Sequence, residues 1–154
     1  MRVYLGSDHA GYELRTHLVK VLPDHGYEVV DLGPKTYDPT DDYPGYCIAT
    51  GEAVVGDPGS LGVVIGGSGN GEQISANKVP GVRAALAWNA DTAKLSRQHN
   101  DANVIGIGAR EHTPETATEL VVAFLATPFS NDARHQRRID QIAEYERERD
   151  GKSA

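Results

Sequence analysis

The sequence predicts an α/β fold: a three-layer α/β/α sandwich around a five-stranded parallel sheet, with an extended C-terminal helix. Apolar runs alternate with helical patterns five times along the chain, which is the order typical of a parallel sheet. Most of the runs are continuous, as expected for Rossmann-like strands that are covered on both faces. With 154 residues and 39% hydrophobic content, the chain is expected to form a single domain spanning 1–154.

The first half of the chain supplies three strands and the helices that follow them. Apolar residues recur three and four positions apart from Leu14 to Leu22, which predicts a helix that ends at Pro23–Gly26. A second helix, Pro44–Val55, is weakened by two internal glycines and ends at the turn Gly56–Gly59. The strands predicted in this half are Met1–Gly6, Tyr27–Leu32 and Leu61–Ile65.

The second half continues the alternation. A helix over Ala90–Gln98 follows the fourth strand, and another starts at Pro114, because proline is favoured at the first position of a helix. The last helix is predicted from about Asn131 to Arg149. The tail from Glu144 onward is highly charged and is expected to fray from about residue 146. The strands predicted in this half are Val82–Trp88 and Asn103–Ala109.

Composition argues against several classes of protein. The net charge of −7 argues against nucleic-acid binding. No apolar run approaches the roughly 20 residues that span a membrane, and the strand pattern at residues 1–5 argues against a signal peptide. The single cysteine, Cys47, cannot form an internal disulfide and suits a reducing compartment, so a cytoplasmic location is expected.

The strongest functional signal is the stretch from Leu61 to Lys78, LGVVIGGSGNGEQISANK. Its apolar run is followed by six residues, four of them glycine, and then by a short helical pattern. Such a turn lets main-chain N–H groups approach an anion at the start of a helix. Glu72 directly follows the last glycine, where it is either a general base or a glutamate that only complements the helix dipole. The N–H groups of the turn are expected to lower its pKa, whereas partial desolvation by a bound substrate would raise it again.

Polar residues follow several predicted strands, at the edge of a parallel sheet where ligands bind. Asp8 and His9 follow the first strand, the glycine turn follows the third, and Arg110 follows the fifth. His99 follows the helix after the fourth strand, a position that need not face the same edge. Alone, His9 is a neighbour of a helix N-cap, and His99 is a histidine favoured by a helix C-terminus. The joint placement of Asp8, His9 and Glu72 beside the glycine turn favours a ligand site.

Two arginines of the last helix are candidates for phosphate binding. Arg134 and Arg138 lie four positions apart, so they share one face of the helix. Paired guanidinium groups suit bidentate recognition of phosphate. The alternative is a solvated face on which these arginines pair with the acidic residues Asp132, Asp140 or Glu144. Both interpretations stay open at this point.

Several familiar motifs fit poorly. The turn at 67–72 breaks the dinucleotide-binding fingerprint, because Glu72 replaces its last glycine or alanine. The stretch Gly6–Gly11 lacks the lysine of a P-loop, and Ser68 does not lie in a nucleophile elbow. The pairs Asp41-Asp42 and Glu111-His112 lack metal-ligand spacing. No metal and no nucleotide cofactor are therefore expected.

Several separate motifs occur together in this chain. They are Gly6–Gly11 (GSDHAG), Gly66–Glu72 (GGSGNGE), Ser75–Lys78 (SANK), His99-Asn100 and Gly106–Arg110 (GIGAR). In this order they resemble the type B ribose-5-phosphate isomerases of the ribose/galactose isomerase superfamily, from Met1 to about Tyr145. The resemblance is less specific for the sugar, because galactose-6-phosphate and allose-6-phosphate isomerases belong to the same superfamily.

The resemblance implies an aldose–ketose isomerase that interconverts D-ribose 5-phosphate and D-ribulose 5-phosphate through a cis-enediolate, in the pentose phosphate pathway. It implies catalysis without a metal or an organic cofactor, and a homodimer or dimer of dimers whose active sites are shared between subunits. Three alternatives stay open: an isomerase of a six-carbon sugar phosphate (allose or galactose 6-phosphate), a non-catalytic phosphosugar sensor, and a pure interaction domain.

The resemblance also implies roles, residue by residue. Asp8 and His99 match residues associated with opening of the sugar ring. Many relatives carry a cysteine base where this chain has Gly66, whereas another branch uses a glutamate in the position of Glu72, and this chain resembles that branch. The phosphate-contacting positions are matched by His9, Arg134 and Arg138. Other positions that line the site or hold the enediolate oxygens are matched by Arg110, His135, Asn100, Gly67, Ser68, Gly69, Asn70 and Gly71.

Overall fold

The computed structural model describes residues 1–153. The strands are β1 (Arg2–Ser7), β2 (Glu28–Asp31), β3 (Leu61–Gly66), β4 (Ala84–Leu86) and β5 (Val104–Gly108). The helices are α1 (Tyr12–Val21), α2 (Tyr43–Val55), α3 (Asn70–Ala76), α4 (Ala90–Asn100), α5 (Pro114–Ala126) and α6 (Ala133–Ser153). The strands form a parallel sheet in the order β2-β1-β3-β5-β4. The predicted α/β fold, with its five-stranded parallel sheet and extended C-terminal helix, is therefore confirmed.

Strand β3 lies in the middle of the sheet and is buried along its whole length. Val63 and Ile65 belong to the hydrophobic core that includes residues of α1, α4 and α5, whereas Val64 belongs to the core on the side of α2 and α3. Successive side chains of a strand point to opposite faces, so a central strand needs apolar residues at every position. This explains both the continuous apolar run and the three layers.

The edge strand β4 is shorter than predicted. The apolar run Val82–Trp88 predicts a strand along its whole length, but the pairing with β5 covers Ala84–Leu86. Val82 instead closes a turn, because its N–H donates to the carbonyl oxygen of Val79 at 3.0 Å. Trp88 is 65% exposed, so its apolar character does not reflect burial in the sheet.

Two helix ends also differ from the prediction. Helix α4 continues to Asn100 and ends at Asp101, whose left-handed backbone (φ 43°) stops it. Helix α6 begins at Ala133, because Asn131 has a φ of 59° that a helix cannot contain, and it continues through the charged tail to Ser153. Fraying of this tail stays a prediction. Within residues 1–153, no helix is long and apolar enough to cross a membrane.

All strands of the parallel sheet point the same way, so their ends line up on two opposite sides of the sheet. We call the side formed by the carboxyl ends of the strands the carboxyl edge and the side formed by their amino ends the amino edge. Ser7 at the end of β1 pairs with the end of β3, and Gly66 pairs with Gly108 of β5, so the segments after these strands meet at the carboxyl edge. Helix α4 runs back from that edge. Its end lies at the amino edge, where Arg83, just before β4, donates from Nε to the carbonyl oxygen of Asn100 at 2.9 Å.

Candidate active site

A cleft of about 470 Å³ opens at the carboxyl edge, where β1, β3 and β5 end. It brings together the polar segments that follow these strands, as their positions at the strand ends predict. Its lining residues are Asp8, His9, Ala10, Tyr43, Gly67, Ser68, Gly71, Glu72, Arg110 and Glu111. The cleft is the candidate ligand site, and the chemical role of each residue in it stays a prediction.

Asp8 directly follows β1 and is 6% exposed. Its Oδ1 accepts the main-chain N–H of Ala10 at 3.0 Å and that of Gly11 at 3.3 Å, so it caps the short turn His9–Gly11. Two main-chain donors therefore hold this carboxylate in one orientation beside the cleft.

Glu72 lies in the first turn of α3 and is only 4% exposed, although it lines the cleft. An ideal Cβ atom on Gly66 would overlap the Glu72 carboxylate, so this carboxylate covers the end of β3. Burial raises the pKa of Glu72 and the nearby Asp8 adds to this effect, whereas the N–H groups of Glu72 and Gly69 oppose it. The N–H groups of the helix start lower the pKa as predicted, but burial by the protein itself, and not only by substrate, outweighs them, so the net shift is upward.

Tyr43, the first residue of α2, is a lining residue that no sequence motif marks. Its ring lies against Gly71, and an ideal Cβ atom there would be 2.7 Å from the ring atom Cε2. Glycine at this position is therefore required by the close approach of an aromatic ring. Sequence reasoning missed Tyr43 because it reaches the cleft from the start of a helix rather than from the end of a strand.

The glycine turn is fixed by contacts within itself and with the segment after β5. The Oγ of Ser68 accepts the main-chain N–H of Asn70 at 3.2 Å, which orders the start of α3. Arg110 donates its main-chain N–H to the carbonyl oxygen of Gly67 at 3.0 Å, and its guanidinium group lies over this glycine. The turn thus lies beside a positive charge, which suits an anionic ligand.

His9 is held by Asp41, a residue of the loop before α2. The Oδ1 atom of Asp41 accepts the main-chain N–H of His9 at 2.8 Å and lies 2.8 Å from its Nδ1. This hydrogen bond is the largest of the effects that raise the pKa of His9. Sequence reasoning considered Asp41 only as half of an acidic pair, because the loop that brings it to His9 has no local signature.

Asp8, His9 and Asp41 are the one group of potential metal ligands found among residues 1–153, with ligand atoms within 4.8 Å of one another. Oδ1 of Asp8 and Oδ1 of Asp41 already accept hydrogen bonds from the main-chain N–H groups of residues 9–11. A hydrogen-bond network therefore accounts for the arrangement, and the expectation that the protein uses no metal stays a prediction.

Two predicted residues of the glycine turn, Gly69 and Asn70, are not among the residues that line the cleft. The other predicted residues outside the cleft form a second group, which we call the amino-edge cluster. Its members are His99, Asn100, Arg134, His135 and Arg138. The rings of His99 and His135 are 4.3 Å apart between centroids, with their planes tilted by 31°. His135 is 6% exposed, and its Nδ1 lies 2.8 Å from Ser130 Oγ. Burial, followed by the charge of His99, lowers the pKa of His135.

The amino-edge cluster does not line the cleft. Helix α4 runs opposite to the strands, so His99 and Asn100 at its end lie at the far edge of the sheet from Glu72. The five residues of β5, at about 3.3 Å each, separate the two edges by about 16 Å. One chain therefore does not bring all the predicted site residues together.

The fold and the cleft define a class: parallel α/β proteins whose ligand site lies at the carboxyl ends of the strands, next to a glycine turn. The chain belongs to the Ribose/Galactose Isomerase family, whose model matches residues 3–142. The family resemblance predicted from the sequence motifs is thereby confirmed.

Individual relatives agree with this assignment. The chain is 60% identical over 147 residues to ribose-5-phosphate isomerase B of Mycobacterium tuberculosis. The aligned part covers 96% of this chain and 91% of the relative. Its fold is similar to that of ribose-5-phosphate isomerase B from Clostridium thermocellum, with a TM-score of 0.91, 39% identity, and 96% and 99% of the two chains covered. The same enzyme from Mycoplasma genitalium, solved with bound ribulose-5-phosphate, gives a TM-score of 0.91 at 39% identity, with 96% and 97% covered.

Proposed function

We propose that this chain is an aldose–ketose isomerase that interconverts D-ribose 5-phosphate and D-ribulose 5-phosphate, a reaction of the pentose phosphate pathway. The observation that carries the proposal is the buried Glu72 carboxylate beside the glycine turn in the carboxyl-edge cleft. The 60% identity to ribose-5-phosphate isomerase B of Mycobacterium tuberculosis supports this substrate. The ribulose-5-phosphate bound to the Mycoplasma genitalium relative supports it further.

Glu72 is the proposed base. It removes the C2 proton of the open-chain aldose. The electron pair of the broken C–H bond forms the C1–C2 double bond, and the π pair of the C1 carbonyl moves onto O1, which gives a cis-enediolate. Glu72, whose proton exchanges with solvent, then delivers a proton to C1 while the C2–O2 bond becomes the carbonyl and the O2 hydroxyl proton passes to O1, which gives the ketose. A carboxylate with the ordinary pKa of about 4.5 is a weak base for a carbon acid, and burial makes Glu72 a stronger one because it raises the pKa.

The glycine turn is the proposed oxyanion site. Its main-chain N–H groups, from Gly67 to Gly71, stabilise the negative charge that develops on the sugar oxygens as the enediolate forms. Loss of one such donor typically lowers the rate on the order of a hundredfold or more. Asp8, which is held beside Glu72 by its two main-chain hydrogen bonds, is proposed to take part in opening the sugar ring together with His99.

The amino-edge cluster is proposed to complete the site of a second copy of the chain. His99, Arg134 and Arg138 lie too far from Glu72 to act in the same cleft, because the length of the sheet separates them. In a homodimer, each chain would place its amino-edge cluster at the carboxyl-edge cleft of its partner, which would complete both active sites. A dimer of such dimers would have the same arrangement. Exposed apolar residues on the same helices support burial in an interface, namely Leu95 on α4 and Ile142 and Tyr145 on α6.

We also propose a cytoplasmic location, without a metal, an organic cofactor or a nucleic-acid partner. The single cysteine, Cys47, is a buried thiol whose pKa is raised by burial, so it behaves as part of the core. The net charge of −7 disfavours nucleic acid as a ligand.

The substrate is tested by assaying the purified protein in EDTA with ribose 5-phosphate, ribulose 5-phosphate, allose 6-phosphate and galactose 6-phosphate. The proposal predicts turnover with the five-carbon pair and a lower kcat/KM for both six-carbon sugars. A higher kcat/KM for a six-carbon sugar would replace the proposed substrate. Binding of ribose 5-phosphate without turnover of any sugar, and without exchange of its C2 proton with solvent, would indicate a phosphosugar sensor instead.

A further inference from the structure

Asp41 contacts His9 twice through one oxygen atom. Its Oδ1 accepts the main-chain N–H of His9 at 2.8 Å and lies 2.8 Å from the ring atom Nδ1. A carboxylate oxygen can only accept a hydrogen bond, so Nδ1 carries the proton in this contact. Nε2 is then the ring nitrogen that remains available to a ligand, and His9 lines the cleft.

The loop that carries Asp41 is anchored beside the end of β1. Arg15 of α1, which is 2% exposed, donates to the carbonyl oxygen of Pro34 near the start of this loop. The same guanidinium group donates from Nη1 to the Oγ of Ser7 at 2.5 Å. One buried side chain thereby ties the loop to the strand that leads into His9, which keeps the contact between His9 and Asp41 in place.

The carboxylate of Asp41 requires a neighbouring cation. Its side chain is 9% exposed, and Oδ2 is buried without a hydrogen-bond partner among residues 1–153. A buried carboxylate with one unsatisfied oxygen is costly unless a positive charge lies beside it. A protonated His9 supplies that charge at hydrogen-bond distance. Its raised pKa agrees with this arrangement, since the Asp41 hydrogen bond is the largest cause and outweighs the opposing effect of burial.

Other charged groups lie around His9. Asp8 precedes it at the end of β1 and also favours its protonated form. Asp38 lies in the same loop as Asp41, and its pKa is lowered chiefly by hydrogen bonds from Thr40 and only slightly by His9. The other charged residues that line the cleft are Glu72, Arg110 and Glu111. Within the described chain, Asp41 is the carboxylate that contacts the ring of His9 directly.

We propose that Asp41 is a positioning residue that holds His9 as an imidazolium, with Nε2 free to bind the phosphate group of the substrate. The inference rests on the proposed function and on the family resemblance, which matches His9 to a phosphate-contacting position. Asp41 acts through His9: it fixes the ring orientation and extends to higher pH the range over which the ring is charged. Charge-assisted hydrogen bonds to phosphate are roughly twice as strong as neutral ones, so loss of the charge weakens substrate binding.

The test compares Asp41→Asn with Asp38→Asn, which removes a carboxylate from the same loop without touching the ring of His9. Two quantities are measured: the titration of the His9 ring by NMR, and kcat and KM for ribose 5-phosphate as functions of pH. In Asp41→Asn, we expect a lower His9 pKa and a KM about tenfold higher near neutral pH, as for loss of one charge-assisted hydrogen bond. The rise of KM with pH begins at lower pH, and kcat changes little. Asp38→Asn leaves all of these values near those of the parent.

An unchanged His9 titration in Asp41→Asn overturns the proposal, and so does a lower His9 pKa with an unchanged KM. The NMR titration needs no turnover, so it remains decisive if the parent proves inactive; inorganic phosphate then replaces the sugar as the binding probe. A double variant tests whether Asp41→Asn acts only through His9 rather than by disturbing the fold. If it does, adding Asp41→Asn to His9→Gln should not raise KM further. A further rise of KM in that background would mean that Asp41 acts independently of His9, against the proposal.

Discussion

The carboxylate of Glu72 occupies the space that a side chain on Gly66 would need. An ideal Cβ atom on Gly66 would overlap both the carboxyl carbon and Oε1 of Glu72. A glycine at the end of β3 and a buried glutamate in the first turn of α3 therefore form one structural unit. Any larger residue at position 66, including the cysteine that the family resemblance associates with it, competes with Glu72 for the same volume.

Substitution Gly66→Ala is expected to displace the Glu72 carboxylate and lower kcat by about a hundredfold, since a shift of about 1 Å in a reacting group costs about that much. KM for ribose 5-phosphate should change little, because the residues expected to contact the phosphate are His9, Arg134 and Arg138 and not Glu72. Steady-state kinetics on folded protein measure both constants.

The matched control is Gly62→Ala in the same strand. Its Cβ would lie 2.8 Å from Val54 Cγ2, so the added methyl group strains the core and not the cleft. We expect a lower melting temperature and an unchanged kcat per folded molecule. If Gly66→Ala behaved like this control, the placement of Glu72 would not determine the rate.

Replacement Glu72→Gln is expected to stabilise the protein at neutral pH. The pKa of Glu72 in the folded protein lies above its ordinary value of 4.5, so the folded state binds more protons than the unfolded state between the two values. The favourable contribution of the protonated group is therefore complete below about pH 4.5 and is lost as pH rises through the folded pKa. Glutamine avoids this loss, and a gain of about 1 kcal/mol would raise the melting temperature by about 2–4 °C.

Melting curves at pH 7 and at pH 4 test the direction of this pH dependence of stability. The gain of Glu72→Gln should be present at pH 7 and shrink at pH 4, where the parent carboxyl is protonated. The control is Glu119→Gln on α5, an exposed glutamate for which little change is expected. A larger gain at pH 4 than at pH 7 would mean that the ionised form of Glu72 stabilises the fold, contrary to its burial.

Mixing Glu72→Gln with His99→Asn is expected to restore activity above that of either variant alone if active sites are shared between copies and both substitutions disable a site. In a mixed dimer of Glu72→Gln and His99→Asn chains, one site carries both changes and the other carries neither. Random reassortment after dissociation should therefore recover about a quarter of the parent activity. Unmixed variants subjected to the same treatment serve as controls. No recovery, with mixed dimers shown by mass spectrometry, would contradict the proposal that active sites are shared between copies.

Substitution Arg138→Ala is expected to raise KM for ribose 5-phosphate about tenfold or more, because a guanidinium group that binds phosphate makes charge-assisted hydrogen bonds. The matched control is Arg147→Ala, an exposed arginine farther along α6. An unchanged KM in Arg138→Ala would mean that this arginine does not bind the phosphate and belongs to a solvated face of the helix.

The fold could be predicted because its signals are local or periodic. The continuous run of β3 predicts burial on both faces, and Val63 and Val64 do contact opposite cores. The run Val82–Trp88 carries the same apolar signal, yet β4 lies at an edge and pairs over Ala84–Leu86. Hydrophobicity alone does not distinguish a residue that pairs with a neighbouring strand from an apolar residue in a turn, so the predicted length of β4 was wrong.

The candidate site could be predicted only in part. Asp8 and Glu72 follow strand ends, and the geometry of parallel sheets brings such residues to one edge. Tyr43 reaches the cleft from the start of α2, and Asp41 reaches His9 from the preceding loop, so both placements depend on tertiary packing that has no sequence signature. Likewise, a single chain places His99 and Glu72 at opposite edges of the sheet, so the proposed site that joins them requires a second copy of the chain.

The most direct test of the central claim is proton transfer by Glu72. Parent protein and Glu72→Gln are incubated with ribose 5-phosphate in deuterated water containing EDTA, and turnover and deuterium incorporation into the sugar are followed by NMR. The account predicts turnover with deuterium incorporation by the parent, and neither by the variant, which still binds ribose 5-phosphate. Turnover by Glu72→Gln above a few per cent of the parent rate would show that another group transfers the proton.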